Sequence, residues 1–474
     1  MGSSDPRSPS PRPTAPQTVR TVVTWGLVAL VGAAALGRLA LLRGETISAA
    51  WLLVAAIATW LVAYRFYARF IAARVFALDA MRATPAVRLA DGHDFVPTNK
   101  WVVFGHHFAA IAGPGPLVGP TLAAQFGFLP GALWIVVGVV LGGAVQDFVI
   151  LCASTRRDGR SLGQMVKDEI GPVAGVTALV AVLGIMVVLI SVLALVVVNA
   201  LKDSPWGTVT IALTIPIAMC MGLWLKYLRP DRVLEASVIG LVLLAGALWA
   251  GQWVSQHPTW APIFTLTGPV LALAIMAYGF AASVMPVWLL LAPRDYLSAF
   301  VKIGVVVALA VGIVAVLPPL AMPPVTRFVD GTGPVFAGKV FPFVFITIAC
   351  GAISGFHSLI ASGTTPKLLA RETDAPLVGY GAMLTEALVA IMALIAACVL
   401  SPGVYFAINA PVAAIGPTAA SAAEAIRGWG FTLAPGEIEG LATAVGETSL
   451  LSRTGGAPSL AVGMAALFDR ALGG

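Results

Sequence analysis

Five ionisable residues sit where an ionisable side chain is costly. His106 and His107 lie in the apolar stretch FGHHFAAIAGPGPLVGP, Asp147 in GGAVQDFVILCASTRR, His357 in ACGAISGFHSLIASGTTPK, and Glu386 is the only acid in its apolar stretch. Such residues inside membrane-length stretches face the protein interior and mark ion or proton paths by default. A histidine titrates near physiological pH, so the pair is suited to exchanging protons and coupling transport to a gradient; the plainer alternative is a structural donor capping a broken helix. Adjacent on a helix, the two rings point about 100° apart and make a poor metal pair. Asp147 is suited either to holding a proton or cation or to pairing with Arg156 or Arg157. Beside His357, Ser354, Ser358 and Ser362 offer hydroxyls for an ion or for a neighbouring helix. His93 and His257 fall in loops and carry no such implication.

Two stretches combine length with helix breakers. The first contains Gly113, Pro114, Gly115, Pro116, Gly119 and Pro120; the second, YGFAASVMPVWLLLAP, runs from Tyr278 to Pro293. Each proline removes a backbone hydrogen bond and each glycine weakens a helix, so interruptions are expected near Gly113–Pro116 and near Ser283–Pro286. Unwound backbone at membrane depth exposes amides and carbonyls that can hold a carboxylate or an ion. Gly113, Pro114, Gly115, Pro116, Tyr278, Ser283, Met285 and Pro286 are therefore the expected substrate contacts. Tight packing or a simple kink is the competing explanation for the same residues.

Other chemistries leave no trace. HExxH, GxSxG and Walker A motifs are absent, so no metal, catalytic or cofactor site is expected, and no ATP-driven pump. Cys152, Cys220, Cys350 and Cys398 form no CxxC pair and read as small buried hydrophobes. The net charge of +6 would suggest nucleic acid in a soluble protein. Here Lys and Arg fall mainly in short loops between apolar runs, which is a topology signal, and nucleic acid is set aside.

The elements that must position these residues follow from composition. Of 474 residues, 59% are hydrophobic and 11% charged, against about 25% charged in a soluble domain. The bilayer is the expected solvent. About eleven runs are long enough to span it: roughly 22–42, 47–64, 101–124, 130–153, 172–200, 207–225, 233–253, 266–291, 300–320, 341–361 and 377–400. Continuous apolar runs predict helices and exclude a barrel. The Ser- and Pro-rich residues 1–20 form a disordered tail, and 21–100 hold two leading spans and a basic loop. Residues 101–474 are expected to form a transporter core with an irregular C-terminal region. Beyond residue 400, short helical pieces are expected at about 417–427, 438–445 and 460–472.

Lys and Arg set the orientation. With the N-terminus cytoplasmic, the inner segments carry Arg7, Arg12 and Arg20; Arg65 to Lys100; Arg156 to Lys167; Lys226 to Arg232; Arg294 and Lys302; and Lys367 and Arg371. The outer segments carry only Arg38, Arg43, Lys202, Arg327 and Lys339. The two breaker-rich spans are the first and sixth of a core with five spans per half, which predicts an inverted repeat.

These segments resemble the carbon starvation protein A (CstA) family. The matching stretches are FGHHFAAIAGPGPLVGPTLAAQFGFLPG, GAVQDFVILCASTRRDGRSLG, YGFAASVMPVWLLLAPRDYLS, ITIACGAISGFHSLIASGTTPK and SRTGGAPSLAVGMA, spread from about Lys100 to Ala465. Many members continue with further apolar segments, so the chain is expected to be a short member or a fragment. The resemblance implies an inner-membrane transporter related to the amino acid–polyamine–organocation superfamily. It also implies peptide or pyruvate uptake during carbon starvation. The combined expectation is an all-α polytopic bundle acting as a secondary importer, with protons or sodium as the coupling ion. A membrane-embedded starvation sensor or an enzyme without transport is the alternative.

Overall fold

The computed structural model describes residue 31 and residues 46–229, 232–286, 289–434, 436–445, 447 and 449–472. The expected tail and, apart from Val31, the expected span at 22–42 lie outside the described residues. The chain forms two compact units, Met1–Ser48 and Ala49–Gly474. All the elements named here belong to the second.

That unit is built of helices. α1 (Ala49–Val75) is followed by α2 (Lys100–Ile111), α3 (Gly115–Ala123), α4 (Phe128–Thr155), α5 (Leu162–Glu169), α6 (Pro172–Leu201), α7 (Pro205–Leu228), α8 (Leu234–Gln256), α9 (Gly268–Val284) and α10 (Leu291–Val316). Then come α11 (Val340–Thr347), α12 (Gly355–Gly363), α13 (Glu372–Val399), α14 (Pro402–Asn409), α15 (Ala419–Gly428), α16 (Glu437–Ala444) and α17 (Ala457–Leu472). Among the described residues, seven of these are long and apolar enough to cross a membrane: α1, α4, α6, α7, α8, α10 and α13. The expected spans at 101–124 and 341–361 are each divided in two, and the one at 266–291 is shortened to 17 residues. Glycine and proline account for all three interruptions, since none of these segments can keep an unbroken ladder of hydrogen bonds.

Burial ranks the helices. α13 is enclosed along nearly its whole length, while no residue in the most apolar stretch of α6, with a mean hydropathy of 3.2, is buried, and only its ends pack, through Gly175, Val198 and Leu201. α13 is the axis of the bundle and packs against α1, α2, α3, α4, α10 and α17. A smaller apolar cluster joins α7, α8 and α10 through Ile217, Met221, Leu244, Ala247 and Leu297.

Three of the six segments assigned to one side by their charge are found together. Arg88 pairs with Asp158, Lys367 with Asp94, and both Arg82 and Arg156 with the buried carboxylate of Glu372. The backbones of Val96 and Thr98 donate to Lys367 and Leu368. In the same loop Asp91 accepts the backbone N–H groups of Phe95, His93 and Asp94, which hold its carboxyl below the usual range. At the opposite end, residues 318–326 bond to Phe126, Phe128, Leu129 and Cys398. The short helices after residue 400 fall close to the expected places, with α14 as an addition.

Candidate functional site

The first interruption lies where it was expected. α2 ends at Ile111, Ala112 leaves helical geometry, and α3 begins at Gly115. Gly113 donates back to Ile111, and Leu117 and Val118 donate to Pro114. This arrangement leaves carbonyls of the last α2 turn without helical partners. The Lys302 ammonium, from α10, takes two of them, Ala112 at 2.6 Å and Ala109 at 3.3 Å.

The interruption packed against this one is in 348–354, between α11 and α12. α2 lies beside α12 and α3 beside α11, so the two divided helices run antiparallel. Gly119 presses on the backbone carbonyl of Thr347, and a Cβ at Gly115 would lie 2.7 Å from the Cβ of Cys350. Only glycine permits that approach. α4 fixes the irregular backbone at both ends, because Trp134 donates to the carbonyl of Ile348 and Gln146 to that of Ser354.

Four of the five expected ionisable residues converge beside this crossing. His357 Nδ1 is 3.1 Å from Asp147 Oδ2, and its Nε2 is 3.2 Å from Glu386 Oε2. The Cys350 thiol donates to Glu386 Oε1 at 3.1 Å and lies 3.8 Å from His357 Nε2. His107 Nε2 lies 4.0 Å from Asp147 Oδ2, and its Nδ1 is 2.8 Å from Thr365 Oγ1. The side chains of His107, Asp147, His357 and Glu386 are fully buried.

Local departures from α geometry aim the two acids. A π-helical segment, Val139–Gly143, precedes Asp147, and another, Pro376–Gly381, precedes Glu386. Tyr380, in the second, donates to the carbonyl of Val140, in the first. Such wide turns recur at functional sites because they re-phase the side chains that follow.

The remaining expected residues lie elsewhere. His106, one residue from His107, turns to the other side of α2, where Nδ1 is 3.6 Å from Asp295 Oδ2. Asp147 faces His357, and the two arginines named as its other partners go to Glu372 and Glu169. Ser283, Met285 and Pro286 mark the second interruption, where α9 ends at Val284 and Met285 is extended. Tyr278 accepts a hydrogen bond at 2.6 Å from Arg294, whose guanidinium also lies over its ring. The Ser362 hydroxyl donates to the carbonyl of Ser358 one turn back and accepts the backbone N–H of Leu162.

Two cysteine readings need correction. Cys350 is a polar member of the buried cluster and not a filler, and Cys220 is exposed. Sequence reasoning also passed over Lys302, Asp295 and Thr365. Lys302 was counted only as loop charge. Asp295 and Thr365 carry meaning only through partners remote in sequence.

The profile of the family described as Carbon starvation protein CstA matches residues 48–474. The "Peptide transporter CstA" of Escherichia coli (strain K12) is 59% identical over 457 residues, which cover 95% of this chain and 65% of that relative. The "Pyruvate/proton symporter BtsT" of the same organism is 52% identical over 472 residues, 95% of this chain and 66% of the relative. The "Peptide transporter CstA" of Mycobacterium tuberculosis (strain ATCC 25618 / H37Rv) is 53% identical over 464 residues, 97% and 61% respectively. The chain thus spans somewhat less than two thirds of the length of these curated relatives. No solved structure matches it.

Proposed function

The chain belongs to the carbon starvation protein CstA family, and from that premise we propose that it forms the core of a proton-coupled importer of small carboxylates or peptides. It sits in the inner membrane, with the N-terminus and the basic face cytoplasmic. The names of the relatives, peptide transporter and pyruvate/proton symporter, supply the two substrate classes.

One observation carries the coupling. On α10, Asp295 and Lys302 stand two turns apart on one face. The first meets His106 and the second holds the broken end of α2. A proton on His106 strengthens its attraction to Asp295 across this seam; its loss leaves a largely buried carboxylate facing a neutral ring. Proton occupancy therefore changes how firmly α10 leans on the first interruption. The carbonyls that a metal cation such as sodium would need are already held by an ammonium, which favours protons as the coupling ion.

The substrate binds where backbone is interrupted. Gly113 to Pro116, with the Lys302 charge beside them, are one set of contacts for a carboxylate, and Tyr278, Ser283, Met285 and Pro286, with Arg294, are a second set on α9 and the turn after it. His107, Asp147, His357 and Glu386 form a buried ion site next to it. The two halves of the core are related by inversion, in keeping with the superfamily to which the family is akin.

The test is uptake of labelled pyruvate and a labelled dipeptide into proteoliposomes holding the full-length protein. Proton and sodium gradients are imposed separately. Accumulation of either substrate under the proton gradient alone is expected. Uptake driven only by sodium, or no uptake of either, overturns the reading.

A further inference from the structure

We propose that Cys350, His357 and Glu386 form a binding site for a borderline-soft divalent cation of the zinc type. This does not rest on the transport reading. The three donors come from three elements: the 348–354 interruption, α12 and α13.

The geometry fits three corners of a tetrahedron. Zinc takes sulfur at about 2.3 Å and nitrogen or oxygen at about 2.0–2.2 Å, so tetrahedral corners lie roughly 3.3–3.6 Å apart. Here Sγ lies 3.1 Å from Glu386 Oε1, Nε2 lies 3.2 Å from Glu386 Oε2 and Sγ lies 3.8 Å from Nε2, so the carboxylate turns one oxygen toward each of the other two donors. The donor atoms all fall within 4.8 Å of one another. Thiolate, imidazole and carboxylate together suit zinc or a neighbouring transition metal and not magnesium or calcium, which prefer oxygen alone. The fourth corner is left to a water or to an incoming oxygen ligand.

Two further observations point to an ion. His357 uses Nδ1 on Asp147 at 3.1 Å, which is the outer carboxylate that ligating histidines ordinarily have. With the proton on Nδ1, the lone pair of Nε2 faces Glu386 Oε2 at 3.2 Å, and a cation between them removes the repulsion. That oxygen is buried and forms no hydrogen bond, so its proximity to the ring is not explained by one. The rival occupant is a second proton on the ring, shared by both carboxylates.

The two occupants are separated by metal binding measured directly on the full-length protein in detergent. The protein is stripped with a chelator and titrated with Zn²⁺ against a chromophoric competitor, and in parallel with Co²⁺. One zinc per chain is expected, with a thiolate-to-cobalt charge-transfer band in the near ultraviolet. Cys350→Ser should remove that band and weaken zinc binding at least tenfold. Asp147→Asn, which alters only the outer partner, should weaken it about 10- to 100-fold while keeping the band. The melting temperature of each stripped variant is compared with that of the stripped wild type to show that it is folded. Sub-stoichiometric zinc on the wild type overturns the proposal, as does a cobalt spectrum without the thiolate band or binding unchanged in Cys350→Ser.

Discussion

The Lys302 ammonium donates to the Ala112 carbonyl at 2.6 Å, so the helix that follows the second interruption closes the open end of the first. Charge-assisted hydrogen bonds of this kind contribute roughly 1.5–3 kcal/mol each, and stranded buried carbonyls cost further. Lys302→Met keeps the stem and removes the donor. It should lower the melting temperature in detergent and reduce uptake at least tenfold. Wild-type stability and uptake in this variant would show that the contact does not hold the break.

His106→Gln keeps a similar shape and cannot titrate. Accumulation driven by a pH gradient should be lost, while counterflow of bound substrate persists. His107→Gln, at the fully buried neighbour bonded to Thr365, should instead cost about 1 kcal/mol of stability through that hydrogen bond. If His106→Gln retains full pH-driven accumulation, the seam with Asp295 is structural.

Sidedness is open to chemistry. Asp158 lies on the face gathered by Arg82, Arg88, Arg156 and Lys367, and it is accessible there. A cysteine introduced by Asp158→Cys should resist an impermeant thiol reagent in intact cells and react after permeabilisation. Efficient labelling from outside would invert the assigned topology.

Two glycines in neighbouring helices give a paired test of the crossing. At Gly119 a Cβ would collide with the Thr347 carbonyl, whereas at Gly105 nothing lies within 4 Å. Gly119→Ala should destabilise by about 1–3 kcal/mol, the usual range for overpacking. Gly105→Ala should be neutral or stabilising by up to about 1 kcal/mol, since alanine is the better helix former. Equal melting temperatures for the two variants would contradict the close approach.

The helices, the first interruption and four of the buried groups were legible because each is a local signal. A proline removes a bond wherever it stands, and an acid amid apolar residues has to face protein. The second half of the crossing was less legible. ACGAISGFHSLIASG suggests a bend, yet its pairing with Gly115 and Gly119 depends on contacts across more than two hundred residues of sequence. Tyr278 to Pro286 looked stronger, because a Pro inside a long apolar run is conspicuous. Lys302 was hidden for a different reason. A lysine near the end of an apolar run counts equally well as topology charge or as an inward-facing donor.

The π-helical segments ahead of Asp147 and Glu386 bear on how this sequence tolerates insertion and deletion. Each wide turn holds one residue more than a regular turn would. Loss of a single residue from Val139–Gly143 would leave an ordinary, well-bonded helix, so it would pass as harmless by hydropathy and by length. The same loss would rotate everything beyond it by about 100°. Asp147 would swing off His357 while Arg156 left Glu372 and Arg157 left Glu169. Loops such as 158–160 can absorb a change of length. These buried stretches hold their length fixed, with phase and not hydrophobicity as the quantity under constraint.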